Sequence, residues 1–482
     1  MRALLAMASG CLLASACAVG PTFHRPGAPP LTHYTNGVDP AQTVAASGTA
    51  QQLKPGAAIA ADWWRVFHSG QLDAIIREAV AQNPGLDAAQ ASLRASHDEL
   101  RSGYGIFYPS VDADAAATRE RYSTVGFGQS SPGNIFNLFT AGASVSYALD
   151  LFGGGRRMLE ELHAEVDVAK ATEQATYLTL IANVVNTVIA RAAYQAEIDD
   201  TTRMVEIRRE QVQLAEIQEK AGVIPFSTLL ALRSQLAYYD ADIAQLRLKM
   251  AQTEDLLATL CGHTSADWTA PFVSLADLAL PQELPVSLPS DLVRQRPDIL
   301  AAEATAHAAS ANIGVATAAM LPSITLSGGA SGSSNSAGNL FPSDGKAWNI
   351  GAAANVPLFQ GGTYWYRRKA AVDQYQQAMA LYRQTVLSAF GQVADTLHAL
   401  DHDAATLLAD EAARSDAAES LALIQANYTA GAAGYTDVLN SDVQLQQAKI
   451  VDTQALAVRY QDSVALFAAL GGGWWNTANP GK

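Results

Sequence analysis

Long apolar runs are missing from this chain. After residue 16 no stretch of 18 apolar residues occurs. No transmembrane helix is therefore expected, and any crossing of a membrane must be made by strands. Basic charge is also short. The 31 Lys and Arg are outweighed by 46 Asp and Glu, for a net −15, and basic residues gather only at Arg156-Arg157, Arg208-Arg209 and Arg367-Arg368-Lys369. Phosphate backbones call for basic clusters, so no nucleic acid is expected as a partner. A composition 49% hydrophobic and 16% charged excludes collagen-like and disordered chains. The seven methionines form no Met-rich cluster, which lends no support to copper handling.

Catalytic signatures are absent too. Gly153-Gly154-Gly155 and Gly471-Gly472-Gly473 lack the Lys-Ser/Thr of a phosphate loop. His398 and His402 stand four apart beside Asp401 and Asp403, a spacing a metal can use. With no HExxH, and within a long polar helix, they read as a solvated face, as does His97-Asp98-Glu99. No Ser/His/Asp motif context occurs. Neither an enzyme nor a metal site is expected.

Residues 1–16 place Arg2 before an apolar stretch from Ala3 to Leu13, followed by small residues. This is a bacterial-type secretory signal rather than a structural helix. Ala14-Ser15-Ala16 before Cys17 resembles a lipobox, although Leu13 lies four residues ahead of the cysteine instead of three. Cys11, after Ala8-Ser9-Gly10, competes but follows a shorter apolar stretch. Cys17 is the expected lipid attachment site, and the non-acidic Ala18 favours sorting to the outer membrane. Cys261 is then alone in an oxidising compartment and makes no intramolecular bridge. One lipid gives limited membrane affinity, so the anchor assists another means of attachment.

The rest is a repeat. Asn83-Pro84 matches Arg296-Pro297 and Tyr108-Pro109-Ser110 matches Leu321-Pro322-Ser323, each 213 residues apart. Leu151-Phe152-Gly153 matches Leu358-Phe359-Gln360, Gly222 matches Gly431, and Leu260-Cys261-Gly262 matches Leu470-Gly471-Gly472, in the same order. Each half reads helix, strand, loop, strand, long helix, tight turn, helix. Val111, Ala113, Ala115 and Ala117 alternate with Asp112, Asp114 and Thr118, and Trp348, Ile350, Ala352, Ala354 and Val356 alternate with Asn349 and Asn355. Val145, Tyr147, Leu149 and Leu151, and Ile324 and Leu326, follow the same period of two. About 9–11 residues suffice for an oblique strand across a bilayer. Phe107, Tyr108, Tyr122, Phe139, Phe152, Trp348 and Phe359 near the strand ends fit interfacial girdles.

No proline interrupts residues 153–224, and none interrupts 362–429. Each stretch predicts a helix on the order of 100 Å long. Leu178, Ile181, Val185, Val188 and Ala192, and Val386, Phe390, Val393, Leu397 and Leu400, carry the 3-4 spacing of supercoiled helices. Four strands cannot close a barrel, since about eight is the small end. Open edges in lipid are forbidden, so chains must share one. Eight strands fill their interior with side chains, so a pore favours three chains and twelve strands.

Together these features resemble the TolC-like outer-membrane factors, in the lipoprotein branch of the NodT/OprM type. The resemblance is carried by Cys17-Ala18-Val19-Gly20-Pro21 with Arg25-Pro26, and by Trp63-Trp64 through Phe67 and Leu72. It is carried further by Arg296-Pro297-Asp298-Ile299, Ala302-Glu303, Ala311-Asn312-Ile313-Gly314 and Leu321-Pro322-Ser323-Ile324, with Leu151-Phe152-Gly153 and Ala469-Leu470-Gly471-Gly472-Gly473-Trp474. It implies a mixed α+β membrane protein, a homotrimeric 12-stranded outer-membrane β-barrel continued by a long periplasmic α-helical coiled-coil barrel. It implies the exit channel of a tripartite efflux system in a Gram-negative outer membrane, passively conducting small toxic compounds from the periplasm to the outside. Its implied partners are a periplasmic adaptor (membrane fusion) protein, a proton-driven inner-membrane pump and outer-membrane lipid. The covalent lipid on Cys17 takes the place of any cofactor.

The family closes its pore at the periplasmic helix tips with Asp residues just past each turn. Gly434-Tyr435-Thr436-Asp437-Val438-Leu439-Asn440 occupies that motif here, with Asp437 matching and Asn440 standing where the family has Asp. In the first half Thr228 replaces the frequent Asp. The expected constriction is thus Asp437, Asn440, Tyr435 and Thr228. Helical spacing sets Asp437, Asn440, Ser441, Gln444 and Gln447 on one polar face and puts Asp442 about 200° away from Asn440. Two rival readings stand beside this one: a periplasmic coiled-coil adaptor, and a structural envelope lipoprotein without a pore. The adaptor explains the helices but not the duplicated amphipathic hairpins, and the structural lipoprotein would not need a pore.

The expected organisation is a signal peptide over 1–16 and a lipidated segment over 17–70. The first repeat has a helix over 71–105, a barrel hairpin over 106–152 and a helical hairpin over 153–262. A proline-rich linker follows over 263–289. The second repeat has a helix over 290–320, a barrel hairpin over 321–359 and a helical hairpin over 360–470, with a tail over 471–482.

Overall fold

The computed structural model describes residues 18–122, 134–340 and 343–476. The signal segment, Cys11 and Cys17 lie outside the described residues. The chain divides into two compact units, Met1–Arg25 with Ser92–Ala169 and Ala301–Tyr382, and Pro26–Ala91 with Lys170–Leu300 and Arg383–Lys482.

The two halves have matching helices. α3 (Gly154–Lys220) and α7 (Thr363–Thr429) are 67 residues each, and the return helices α4 (Phe226–Leu260) and α8 (Tyr435–Ala469) are 35 each. The stretches expected to hold one leading helix per repeat each contain two. They are α1 (Gly70–Gln82) and α2 (Pro84–Gly103), and α5 (Pro289–Gln295) and α6 (Pro297–Ala318). The breaks fall at Asn83 and Arg296, both extended, because a following proline disfavours helical backbone in the residue before it.

The first unit holds a four-stranded antiparallel sheet in the order β2 (Ser110–Tyr122), β3 (Asn134–Leu149), β5 (Ser323–Ser334), β6 (Lys346–Asn355). Its register sorts side chains by face. Val111, Val145, Gly328 and Ile350 form one row, followed by Ala113, Ala143, Ala330 and Trp348, and in the other direction by Tyr147, Leu326 and Ala352. The intervening rows are polar: Asp112, Ser144, Gly329 and Asn349, then Ser110, Ser146, Ser327 and Gly351. One face is thus apolar and the other polar. Trp348 and Ile350 are 77% and 83% exposed on the apolar face, the reverse of a soluble sandwich, whose apolar face would be covered. Among the described residues the outer edges of β2 and β6 have no partner strand.

The segment that follows Cys17 is fastened where the sheet passes into α3. Val19 donates its N–H to the Phe152 carbonyl at 3.0 Å, and Arg157 Nε donates to the Val19 carbonyl at 3.0 Å. Phe23 stacks on His307 at 4.6 Å. Gly153 has φ +77°, and a Cβ there would stand 2.6 Å from the Ala18 Cα, so only glycine admits the N-terminal segment.

In the second unit the core is built on Trp63 stacked against Phe467 at 5.0 Å, with Phe67, Leu72 and Ile75 buried nearby in sequence. Arg296 donates to the Ala469 carbonyl at 2.7 Å and pairs bidentately with Asp298. The Arg-Pro-Asp signature thereby ties the end of α5 to the end of α8. Arg459 is fully buried and is caged by the carbonyls of Ala46 and Thr49, Gln51 Oε1 and Thr43 Oγ1. This satisfies a cation that burial would otherwise penalise heavily. Strands β1 (Gln52–Pro55) and β4 (Glu283–Val286) pair in parallel. Cys261 is free and buried, and burial pushes its thiol up to about 12.

Candidate pore gate

Both helical hairpins turn by the same device. Gly222 has φ +73° and Gly431 φ +76°. Val223 N–H reaches the Gln218 carbonyl and Gly222 the Glu219 carbonyl, and Ala432 and Gly431 repeat this with Asn427 and Tyr428. This is the Schellman closure, which needs a left-handed residue and so favours glycine. Pro225 and Gly434, both extended, then start the return helices.

The second turn places its residues on two sides of α8. Val438 and Leu439 are buried, Leu439 within a cluster of Met204, Ile207, Val443 and Ile450 that joins α8 to α3. Asp437, Asn440, Gln444 and Gln447 are exposed. Ser441, expected on the same polar stripe, is only 7% exposed and leaves it. Four residues of an α-helix turn about 400°, which carries Ser441 from Asp437 toward the side that packs on α3.

Asp437 is an N-terminal cap of its own helix: its Oδ2 accepts the Gly434 N–H at 2.9 Å. Asn440 Oδ1 accepts from Gln211 Nε2 at 3.1 Å. Tyr435 Oη donates to Glu210 Oε2 at 2.8 Å, and that hydrogen bond pushes the phenol pKa up, holding the proton on Tyr435. Tyr435 also packs on Tyr428, ring centres 5.6 Å apart. Asp442 takes Arg203 Nη2 at 3.2 Å and is half-buried. Thr228 is exposed at the start of α4, its N–H given to the Pro225 carbonyl.

The structure thus brings Tyr435 and Asn440 onto α3, leaves Asp437 and Thr228 exposed at the two turns, and adds Arg203, Glu210, Gln211 and Asp442. Those four are absent from the sequence-based candidates. Their signal was one of spacing: Arg203 and Glu210 are seven residues apart on one side of α3. Among the described residues no three His, Cys, Asp or Glu gather as a metal site. His398 and His402 stack with ring centres 6.4 Å apart.

The family model for outer membrane efflux proteins matches residues 75–263 and 288–472, one block per repeat. The chain belongs to the outer membrane efflux protein family. The probable outer membrane lipoprotein SilC of Salmonella typhimurium is 27% identical over 473 residues, 98% of each chain. The pyoverdine export outer membrane protein OpmQ of Pseudomonas aeruginosa is 27% identical over 482 residues, 98% of this chain and 97% of that one. The solved outer-membrane channel OprN superposes with a TM-score of 0.81 at 25% identity, covering 95% of this chain and 100% of that one. The CmeC channel of Campylobacter jejuni superposes at 0.85 with 20% identity over 96% of each chain, a likeness of fold. The family protein described here is thus an outer-membrane efflux channel of mixed α+β fold. Its family consists of efflux proteins rather than enzymes.

Proposed function

We propose that three copies of this chain form the passive exit duct of a tripartite efflux system, served by a periplasmic adaptor and a proton-driven inner-membrane pump. The observation that carries the reading is the four-stranded sheet with one apolar face and two unpaired edges. Lipid forbids open edges, and the edges left for closure are β2 of one chain against β6 of the next. Three chains give twelve strands with the apolar face to lipid and the polar face to water. The cargo is small toxic compounds of the periplasm. OpmQ is named for pyoverdine export, the CusC protein of Escherichia coli for cation efflux and the TtgC protein of Pseudomonas putida for toluene efflux. That range supports a reading in which the pump rather than the duct selects the substrate.

At the helical turns, three copies of Asp437 form the outermost ring of the closed gate, with Asn440 one turn deeper, and Thr228 and Tyr435 beside them. A carboxylate ring attracts cations and holds a blocking divalent ion. With Asn440 neutral, the block rests on Asp437. Asp437→Ala is expected to weaken divalent and trivalent cation block and to lower cation preference in planar bilayers. Unchanged block and selectivity would leave Asp437 as a helix cap alone and place the constriction elsewhere.

In this reading the duct carries its lipid on Cys17. Ala18 and Val19 are held at the junction of β3 and α3, where a barrel strand would leave the inner leaflet, so an acyl chain on the preceding residue meets that leaflet directly. Cys17→Ala is expected to abolish fatty-acid labelling while assembled channel persists in the outer membrane. Labelling that survives would move the acyl group to Cys11.

A further inference from the structure

The charged side chains of the sheet separate by face. The four strands carry six of them. Asp112, Asp114 and Glu120 share the parity of the polar rows, whereas Arg119, Arg121 and Lys346 share the parity of the apolar rows. The separation is complete in a chain whose net charge is −15. The two arginines also share one end. Arg119 and Arg121 follow the row of Ala117, Phe139 and Ser334, pairing with Asn137 and Ile135 on the side away from the helices. Lys346 begins β6, opposite Gly332 in the row of Ala115, two apolar rows before Arg119. All three are exposed.

We propose that this rim binds the phosphorylated sugar headgroup of outer-leaflet lipopolysaccharide, a site that rests on the apolar face meeting lipid as set out above. The end of the strands away from the helices is then the outer-leaflet end. Acyl chains pack on the apolar rows of Val145, Ala143, Trp348 and Ile350, and the headgroup phosphates arrive at the level of the arginines. Residues two apart on a strand are about 6.8 Å apart, so both guanidinium groups reach one headgroup, each able to grip a phosphate through two N–H donors. Closing the barrel sets β6 of one chain, with Lys346 on the lipid face, beside the neighbour's β2, which carries the arginine pair. A lone cation on the lipid face would be costly. The arginine pair is accounted for by an anion that meets it there.

The test uses the full-length protein in detergent, titrated with bisphosphorylated lipid A and with the same lipid stripped of its phosphates, and bound lipid counted by native mass spectrometry. Bisphosphorylated lipid A is expected to bind, the stripped lipid to bind at least about 30-fold more weakly, and R119Q/R121Q to lose about 30-fold for the phosphorylated lipid. R119K/R121K, which keeps the charge, should retain most of the affinity. Equal binding of the two lipids, or undiminished binding by R119Q/R121Q, overturns the proposal. Should R119Q/R121Q fail to assemble, the two-lipid comparison on the unaltered protein decides it in the same way. Planar-bilayer conductance is read on the same samples. A conducting protein that ignores the phosphates sinks the lipid site alone, whereas a protein that forms no channel sinks the reading beneath it.

Discussion

Arg203→Ala combined with Tyr435→Phe is expected to raise single-channel conductance several-fold and to let large hydrophilic antibiotics through the outer membrane. Arg203 bonds Asp442 at 3.2 Å and Tyr435 bonds Glu210 at 2.8 Å, and both contacts draw the start of α8 onto α3. Asp442 is half-buried and Arg203 is half-exposed, so the ion pair is screened and modest. The two contacts together contribute roughly 2 kcal/mol per chain. Symmetry triples this, and about 1.4 kcal/mol already shifts an equilibrium tenfold, so three released latches move the gate far toward its open form. Conductance and antibiotic susceptibility both at the unaltered level would show that these contacts do not hold the gate. The hydrophobic cluster of Met204, Ile207, Leu439, Val443 and Ile450 would then be its support.

Ile350→Arg and Asn349→Arg are neighbours in sequence with opposite expected outcomes. Ile350 lies in a middle row of the apolar face and Asn349 in the adjoining polar row. An arginine facing lipid near mid-membrane costs about 2–4 kcal/mol, and the trimer would carry three. Ile350→Arg should therefore leave little assembled, heat-modifiable protein in outer-membrane extracts. Asn349→Arg faces water, assembles normally and changes ion selectivity. Equal loss in both variants would mean that the sheet has no lipid face.

What the sequence disclosed here was whatever depends on local periodicity. Alternation at Val111 to Ala117 and at Trp348 to Val356 marks the strands, because a period of two needs no knowledge of the partner strand. The proline-free stretches between Gly153 and Ile224 and from Gly362 to Thr429 mark the long helices, and Gly222 and Gly431 mark their ends. Contacts between distant segments were hidden. Nothing local in Gln52–Pro55 or Glu283–Val286 announces a parallel pair, since neither has room for a period. Arg459 reads as an ordinary surface cation until the segment of Thr43 to Gln51, more than 400 positions earlier, closes over it.

The contacts around the proposed gate were half legible for the same reason. Asp437 and Asn440 follow from a turn motif, and their helical face from 100° per residue. Arg203, Glu210 and Gln211 sit on a different helix, so their role depends on how α3 packs against α8. Ser441 leaves the expected polar stripe because the polarity of a side chain does not fix its exposure. A serine hydroxyl is small enough to be buried in a helix-packing seam, and a four-residue step turned it there.

Three chains closing one barrel is the point on which every other expectation depends. Native mass spectrometry of the detergent-purified protein, paired with single-channel recording of the same sample, measures it most directly. The expected result is a particle of three chains that conducts. A folded, conducting single chain would contradict it, because four strands leave β2 and β6 open to lipid with unpaired backbone groups.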